Sequence, residues 1–401
     1  MHSSSRLFLV ILLLISFRVY SQKNVIDPKY RRSSMYTLMI DDSTREHAAA
    51  IKEAFISYPV PDKFDNHNLS NRLILSKAAV EDQTVPIGYF LNTNGIAKQL
   101  VAKWFNRNAQ GAFNMDLVAA RGNYNASEMD ASIAKLSKRG AAMLADAGEE
   151  LIKNTFVLVN DFRYKPMEEI VKETRETANK INGVLSKTKF NLGGLDPNAG
   201  LLKAAGDVFS NGYAVLTTSY LYRLVWNDSV AAVFYNDYWT DSLHLDPKKV
   251  AAFDSSTIFK LEFVGKEKGW SAIPTTIYSQ KSDDQLIFNS TIQGVDVAIA
   301  KLQKHHEEFR TKTALYTTDT LSAKIGLKEG LEGGDQYQVM ELVQNEDGRT
   351  EYKKMGVIRV DRNQIWDNRY MATGDSIKPV DRTLFKGPNK DYYPGMLIRQ
   401  K

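Results

Sequence analysis

Apolar positions along the chain change spacing from stretch to stretch, and the spacing predicts the elements. Between residues 127 and 164, apolar or small residues recur at Ile133, Leu136, Gly140, Met143, Leu144, Ala147, Leu151 and Ile152. Steps of three and four put them along one helical face. Ser127, with Asp130 three residues on, approximates a capping box. Gly140 and Gly148 each cost about 1 kcal/mol against Ala in a helix interior, so two helices joined at a kink fit as well as one. The run Phe156, Val157, Leu158, Val159 then lacks polar alternation, which predicts a central strand buried on both faces. Asn160 and Asp161 follow it. They stand where open α/β sheets bind ligands, and they are also ordinary residues for entering a loop.

The chain before this unit predicts a strand over 35–40 and a helix over about 44–57 capped by Asp42 or Ser43. A short strand over 87–91, a helix over 95–106 and a strand over 115–120 follow. After it come a helix over 167–181 and an irregular, glycine-rich excursion over 183–212. Strands alternating with helices predict an α/β layer.

Residues 213–226 and 230–239 flank Asn227, Asp228 and Ser229, and predict a long β-hairpin. It holds eight aromatics in 27 residues: Tyr213, Tyr220, Tyr222, Trp226, Phe234, Tyr235, Tyr238 and Trp239. Two readings stand. In one, the arms are strands of the same sheet whose aromatics pack on helices, as Arg223 interrupting one face suggests. In the other, hairpin 213–239 makes peripheral contact with a membrane or a partner, its arms matching membrane strands of roughly 9–11 residues. Strand material at 258–264, a turn region at 265–270, a short strand at 287–289 and a helix over 295–309 continue the layer, with 315–317 closing the sheet. Beyond residue 320, short strands at 337–343, 352–360 and 396–398 separated by glycine turns predict a small β-barrel. The expected fold class is an α/β (α+β) sandwich, a mixed sheet covered by helices, over 35–320, followed by a small all-β C-terminal barrel over 321–401.

Composition adds a compartment. Arg6, the apolar run 7–15, then Val19, Tyr20 and Ser21 read as a signal peptide over 1–21, followed by a polar arm over 22–34. The apolar run is too short to span a bilayer and no other reaches that length, so no transmembrane helix is expected. The 401 residues include no cysteine. That excludes a disulfide-stapled scaffold, thiolate nucleophiles, cysteine-rich zinc sites and the acylated cysteine of a lipoprotein. The net charge is +5, two of the positive charges being Arg6 and Arg18 of the leader, and basic residues are dispersed, so no nucleic-acid partner is expected.

Candidate chemistry changes the picture little. His305 and His306 beside Glu307 and Glu308 are adjacent rather than four apart, which points to a solvated helix face, not a metal site. Gly333, Gly334 and Asp335 lack the GK[ST] of a phosphate loop, and there is no G-x-S-x-G elbow. The carboxylate pairs Asp41 with Asp42, Glu149 with Glu150 and Glu168 with Glu169 fall on helices or helix starts. No catalytic, cofactor-binding or metal residue is assigned. Asp followed by Ser or Thr and then Thr, Val, Leu or Ile, at Asp42, Asp228, Asp241, Asp319 and Asp375, resembles O-glycosylation sites of exported Bacteroidota proteins; the same residues suit turns and caps.

The order helix, strand 115–121, a helical segment ending AGEELIKN, strand TFVLVND and a long hairpin resembles the curli-secretion-channel family and the middle domain of the flagellar T-ring protein family. The tail AKIGLKEGLEGGDQYQV, GVIRV and YYPGMLI resembles the small carboxyl-terminal barrel of T-ring-like proteins. The pairing is similar to that of uncharacterised exported proteins of Bacteroidota. The resemblance implies an exported, non-enzymatic protein, periplasmic or outer-membrane associated, that acts through contacts with envelope proteins or by self-assembly. A secreted hydrolase or carbohydrate-binding protein, its aromatics stacking on sugars, is the alternative, and an outer-membrane pore-forming subunit a further one.

Overall fold

A computed structural model describes residues 33–61, 63–75, 82–125, 151–166, 169, 212–274, 282–344, 350–369, 380–388 and 391–401. The expectations for the leader, for the arm up to residue 32, for the helical segment 127–150, for most of helix 167–181, for the excursion 183–211 and for Asp375 lie outside these residues, whereas Ser33 and Ser34, expected in the arm, begin the first strand.

The first sheet is built around β1 (Ser33–Asp41), whose residues 33–40 are all buried. On one edge β1 pairs in parallel with β2 (Phe64–Asn66) along its first half and with β3 (Leu73–Leu75) along its last. On the other it pairs in parallel with β4 (Thr155–Pro166), which is antiparallel to β5 (Gly212–Leu224), itself antiparallel to β6 (Leu261–Pro274). The sheet is therefore mixed, and β4 is the central strand that its unbroken apolar run predicts.

Alternation along the strands sends side chains to two helical layers. Met35, Met39, Phe156, Leu158 and Val215 pack with Ile51 and Phe55 of α1 (Ala48–Ser57). Tyr36, Leu38, Val157, Val159 and Tyr220 pack with Ile87 and Leu91 of α2 (Thr84–Thr93) and Leu100 of α3 (Ile96–Trp104). At the sheet end, α3 meets α4 (Asp116–Asn125), α5 (Asp228–Val233), a π-helical turn (Phe234–Tyr238) and α6 (Pro247–Ser255) in an aromatic core. The long α7 (Asp283–His305) shares the first layer with α1, through Ile287, Val295, Ile299 and Leu302.

Several local expectations are corrected. Residues 87–91 are helical: Ile87 and Leu91, four apart, are buried while Tyr89 faces out, a helical period hidden in a short apolar run. Residues 116–120 belong to α4, with Met115 just ahead of it, and residues 287–289 to α7, whose start is marked in the sequence by the capping box of Ser282 with Gln285. The second arm of hairpin 213–239 does not exist as a strand. Asn227, read as a turn residue, caps α5 by accepting a hydrogen bond from the Val230 N–H (3.0 Å), and residues 228–238 run on as helix. Residues 265–270 are not a turn but the middle of β6. Gly265 lies under the His306 ring, and a Cβ on Gly269 would stand 2.6 Å from the Gly294 carbonyl oxygen and 2.7 Å from the Ala298 nitrogen. These glycines let α7 approach the sheet.

The second sheet starts at Lys312. It comprises β7 (Lys312–Ala314), β8 (Ser322–Ala323), β9 (Gln336–Gln344), β10 (Thr350–Val360), β11 (Thr383–Lys386) and β12 (Leu397–Gln400), in the order β7-β12-β9-β10-β11-β8 with every pair antiparallel. The Tyr316 N–H donates to the Ser322 carbonyl (2.8 Å), bringing the continuation of β7 back to β8 and nearly closing a barrel. Residues 315–317 thus serve this barrel rather than the first sheet. Tyr337, Val339, Ile358, Phe385 and Ile398 fill it. It meets α7 through Lys304 and Glu332 (2.8 Å) and through Lys328 and Asp296 (3.8 Å).

Candidate functional site

The carboxyl end of β1 lies beside the middle of β4, since Met39 is in register with Asn160 while β4 runs on to Pro166. The chain leaves β1 in a tight loop. Asp42 accepts from the Thr44 hydroxyl (2.6 Å) and N–H (3.1 Å), and Arg45 Nε donates to its other oxygen (3.1 Å). The Thr44 hydroxyl first, then the Thr44 N–H and Arg45, hold the Asp42 carboxyl below the usual range. Arg45 Nη1 continues across to Asp161 and to the Phe162 carbonyl (2.8 Å). Arg163 Nη2 reaches the second Asp161 oxygen at 3.3 Å, and Lys52 pairs with Asp41 at 2.6 Å.

Both candidates are buried, and they lie within β4 rather than past its end as expected, because the strand continues to Pro166 in pairing with β5. Asn160 accepts from the Ser219 hydroxyl (2.6 Å) and donates to the Leu38 carbonyl (3.3 Å), locking β1, β4 and β5 together. Asp161, 2% exposed, sits in a network of two acidic and two basic side chains with Asp42, Arg45 and Arg163, and its more open basic partner is Arg163 at 40%. Its outer rim is a guanidinium, with donors suited to a carboxylate or phosphate group. Behind it His47, in the left-handed region at φ 55°, lays its ring edge-on to Tyr164 (4.5 Å), whose hydroxyl pKa is raised by burial and then by Glu46, Asp283 and Glu169.

A second polar node lies at the amino end of β1, and sequence reading missed it. Arg121 Nη1 donates to the Ser34 hydroxyl (2.6 Å) and to His67 Nδ1 (3.0 Å), Nη2 donates to the Asn66 carbonyl (3.2 Å), and the guanidinium stacks on Trp104 (4.3 Å). With Nδ1 accepting, His67 carries its proton on Nε2 and donates it to the Leu100 carbonyl (3.0 Å). Burial, then Arg121, push the imidazole pKa down to about 3, so it is neutral. No spacing in the sequence links residues 34, 67 and 121.

The histidine pair lies at the end of α7, where His305, Glu307 and Glu308 are exposed as expected and His306 alone turns towards the sheet. His305 Nδ1 lies 2.6 Å from Glu267 of β6, and His306 has left the helix in an extended conformation, its ring over Gly265. Among the described residues, no three His, Asp or Glu side chains gather as a metal site. The aromatics of 226–239 form a core: Phe105 stacks on Phe234 at 4.4 Å, Phe113 on Trp239 at 5.9 Å, and Trp226 stands 5.6 Å from Phe234. A small cleft between α7, the entry to β2 and the barrel lead is lined by Lys63, Asp296, Gln303 and Lys328, with the Tyr58 hydroxyl bonded to Asp296.

The fold and these sites define a helix-covered mixed sheet joined to a nearly closed antiparallel barrel. The sequence matches none of the family models and none of the curated proteins compared with it.

Proposed function

We propose that this chain is an exported, non-enzymatic assembly or interaction protein of the cell envelope, working through protein–protein contacts in the manner its resemblance to the curli-secretion-channel and flagellar T-ring families implies. The observation that carries this reading is large apolar side chains held in water on ordered elements. Val85 and Tyr89 of α2 are 81% and 74% exposed, and Leu243 is 88% exposed in a braced loop. Such groups on a rigid frame favour burial against a partner. The polar residues at the two ends of β1, by contrast, are engaged with one another.

The hairpin 213–239 no longer supports membrane contact, because its second arm is helical and Trp226, Phe234 and Tyr238 are buried. Sugar stacking loses Trp226 for the same reason. In-cell crosslinking of a tagged full chain, with recovery of the adducts from the envelope fraction, tests the assembly reading. Recovery of envelope adducts that vanish on Leu243→Asp or Tyr89→Asp is expected; an uncrosslinked chain found only in the cytosol refutes it.

A further inference from the structure

Aspartate is followed by Ser or Thr six times in the chain, and five of the six continue with Thr, Val, Leu or Ile, at Asp42, Asp228, Asp241, Asp319 and Asp375. The sixth, Asp254 with Ser255, continues with Ser256. The structure separates the two groups. Ser255 Oγ is tied back into α6, donating to the Ala251 carbonyl (2.9 Å) and the Ala252 carbonyl (3.2 Å). Ser43, Ser229, Ser242 and Thr320, which carry the hydroxyls of the four tripeptides within the described residues, are all exposed, and none of these hydroxyls is hydrogen-bonded to another protein group.

Two of the four also share a shape. Asp42 Oδ1 accepts from the Thr44 N–H (3.1 Å) and Asp241 Oδ1 from the Leu243 N–H (2.8 Å), so that each aspartate closes on the backbone two residues on. The serine between them stands at the apex of the turn. Both turns are braced from below, by Arg45 Nε on Asp42 (3.1 Å) and by the Thr240 hydroxyl donating to the His244 carbonyl (2.7 Å). The third residue is open in both, since Thr44 is exposed and Leu243 is 88% exposed, and an enzyme can read the whole tripeptide from outside. Ser229, by contrast, lies in the first turn of α5, and Leu321 beside Thr320 is buried.

We infer that Ser43 and Ser242 are acceptors for O-linked glycans. The serine Oγ attacks the anomeric carbon of a sugar carried on a phosphate ester. The bond from Oγ to that carbon forms, the bond from the carbon to the phosphate oxygen breaks with its electron pair leaving on the phosphate, and the hydroxyl proton passes to a base of the transferase. Nothing is oxidised or reduced. Charge around the two turns selects this class over phosphorylation. Ser43 follows Asp41 and Asp42, and Ser242 stands in a short loop with Asp241 and Asp246, so a phosphoryl group would be set against carboxylates at both. The nearest cations are already engaged: Lys52 with Asp41, Arg45 with Asp42 and Asp161, and His244 with Asp241. A sugar adds bulk and hydrogen-bonding groups without charge.

This rests on the exported reading of the chain. The test is the intact mass of the full chain purified from the envelope fraction of its own host, with peptides sequenced by electron-transfer fragmentation. Two equal sugar increments above the polypeptide mass are expected, one on Ser43 and one on Ser242. Ser43→Ala and Ser242→Ala should each remove one increment and the double variant both, whereas Ser255→Ala retains both. Neither apex hydroxyl holds another group, so unchanged thermal melts check folding. An envelope chain of bare polypeptide mass, an increment missing from either serine, or a phosphate in its place overturns the inference and leaves the exported reading standing. A chain of bare mass found only in the cytosol overturns both.

Discussion

Gly269 offers a direct test of how α7 lies on the first sheet. A Cβ at this position would stand 2.6 Å from the Gly294 carbonyl oxygen, 2.7 Å from the Ala298 nitrogen and 3.1 Å from the Ala298 Cα, all backbone atoms that no rotamer change can move. Gly269→Ala must lift α7 from β6, and overpacking of this kind costs about 1–3 kcal/mol. The smaller unfolded-state entropy of alanine offsets about 0.4–1 kcal/mol of that. The net expectation is a loss of about 1–2 kcal/mol. Gly88 is the control: helical, with nothing within 4 Å of the added methyl, it should gain about 0.5–1 kcal/mol as alanine. Urea titration followed by tryptophan fluorescence, with Trp104 fully buried as a reporter, measures both as midpoint shifts at constant slope. Gly294→Ala presses on Thr217 Oγ1 at 2.6 Å from the same helix, so one displacement of α7 relieves both clashes. The double variant should lose less than the sum of the singles. A Gly269→Ala protein as stable as wild type would refute the close approach.

Three further outcomes follow from the polar nodes and caps. Arg45→Ala leaves Asp161 buried with Arg163 alone and should cost about 3 kcal/mol in a denaturant titration, more than Asp161→Asn, which removes the buried charge itself. The folded pKa of His67 lies below its unfolded value near 6.5, so the unfolded chain binds the extra proton and stability falls as pH drops from about 6.5 towards 3. Between pH 7 and 5 the loss is about 2 kcal/mol, and His67→Gln should flatten that difference when unfolding free energies are compared across pH; identical pH profiles would refute the neutral assignment. Asn227→Ala removes the cap of α5 and should lower stability by about 1 kcal/mol, with Asn227→Ser retaining most of it.

The parts of the fold legible in sequence are those in which one strong pattern has one meaning. The run 156–159 could only be a strand covered on both faces, and the short strands with glycine turns after residue 320 do form one sheet, which also takes in β7 from before that boundary. Errors arose where a residue type serves two purposes. Gly265 and Gly269 read as turn residues, although in β6 their missing side chains admit a helix. Asn227, Asp228 and Ser229 read as a hairpin turn, although the same short polar side chains cap helices, and only the contact of Phe234 with Phe105 decides which. Apolar runs of five or six residues at 87–91 and 115–120 carry too few turns of pattern to separate the two periods. Of the candidate site, Asp161 stands out in the sequence as the charge after the apolar run, although it sits inside β4 rather than past a strand end; Arg45 does not stand out, because the pairing of residues 45 and 161 is a product of the parallel crossover and leaves no trace in spacing.

The two arginine nodes explain why the strand that organises the first sheet is an improbable place for the working surface. β1 is buried along residues 33–40, and Arg121 clamps its amino end to β2 and α3 while Arg45 clamps the loop at its carboxyl end to β4. Each guanidinium makes several bonds at once to groups from different elements, so releasing one to bind a ligand would strand buried acceptors, at about 1–3 kcal/mol for each. A ligand would have to replace all of them together. Val85, Tyr89 and Leu243 carry the opposite balance: their exposure already costs solvation free energy, and covering them breaks no bond.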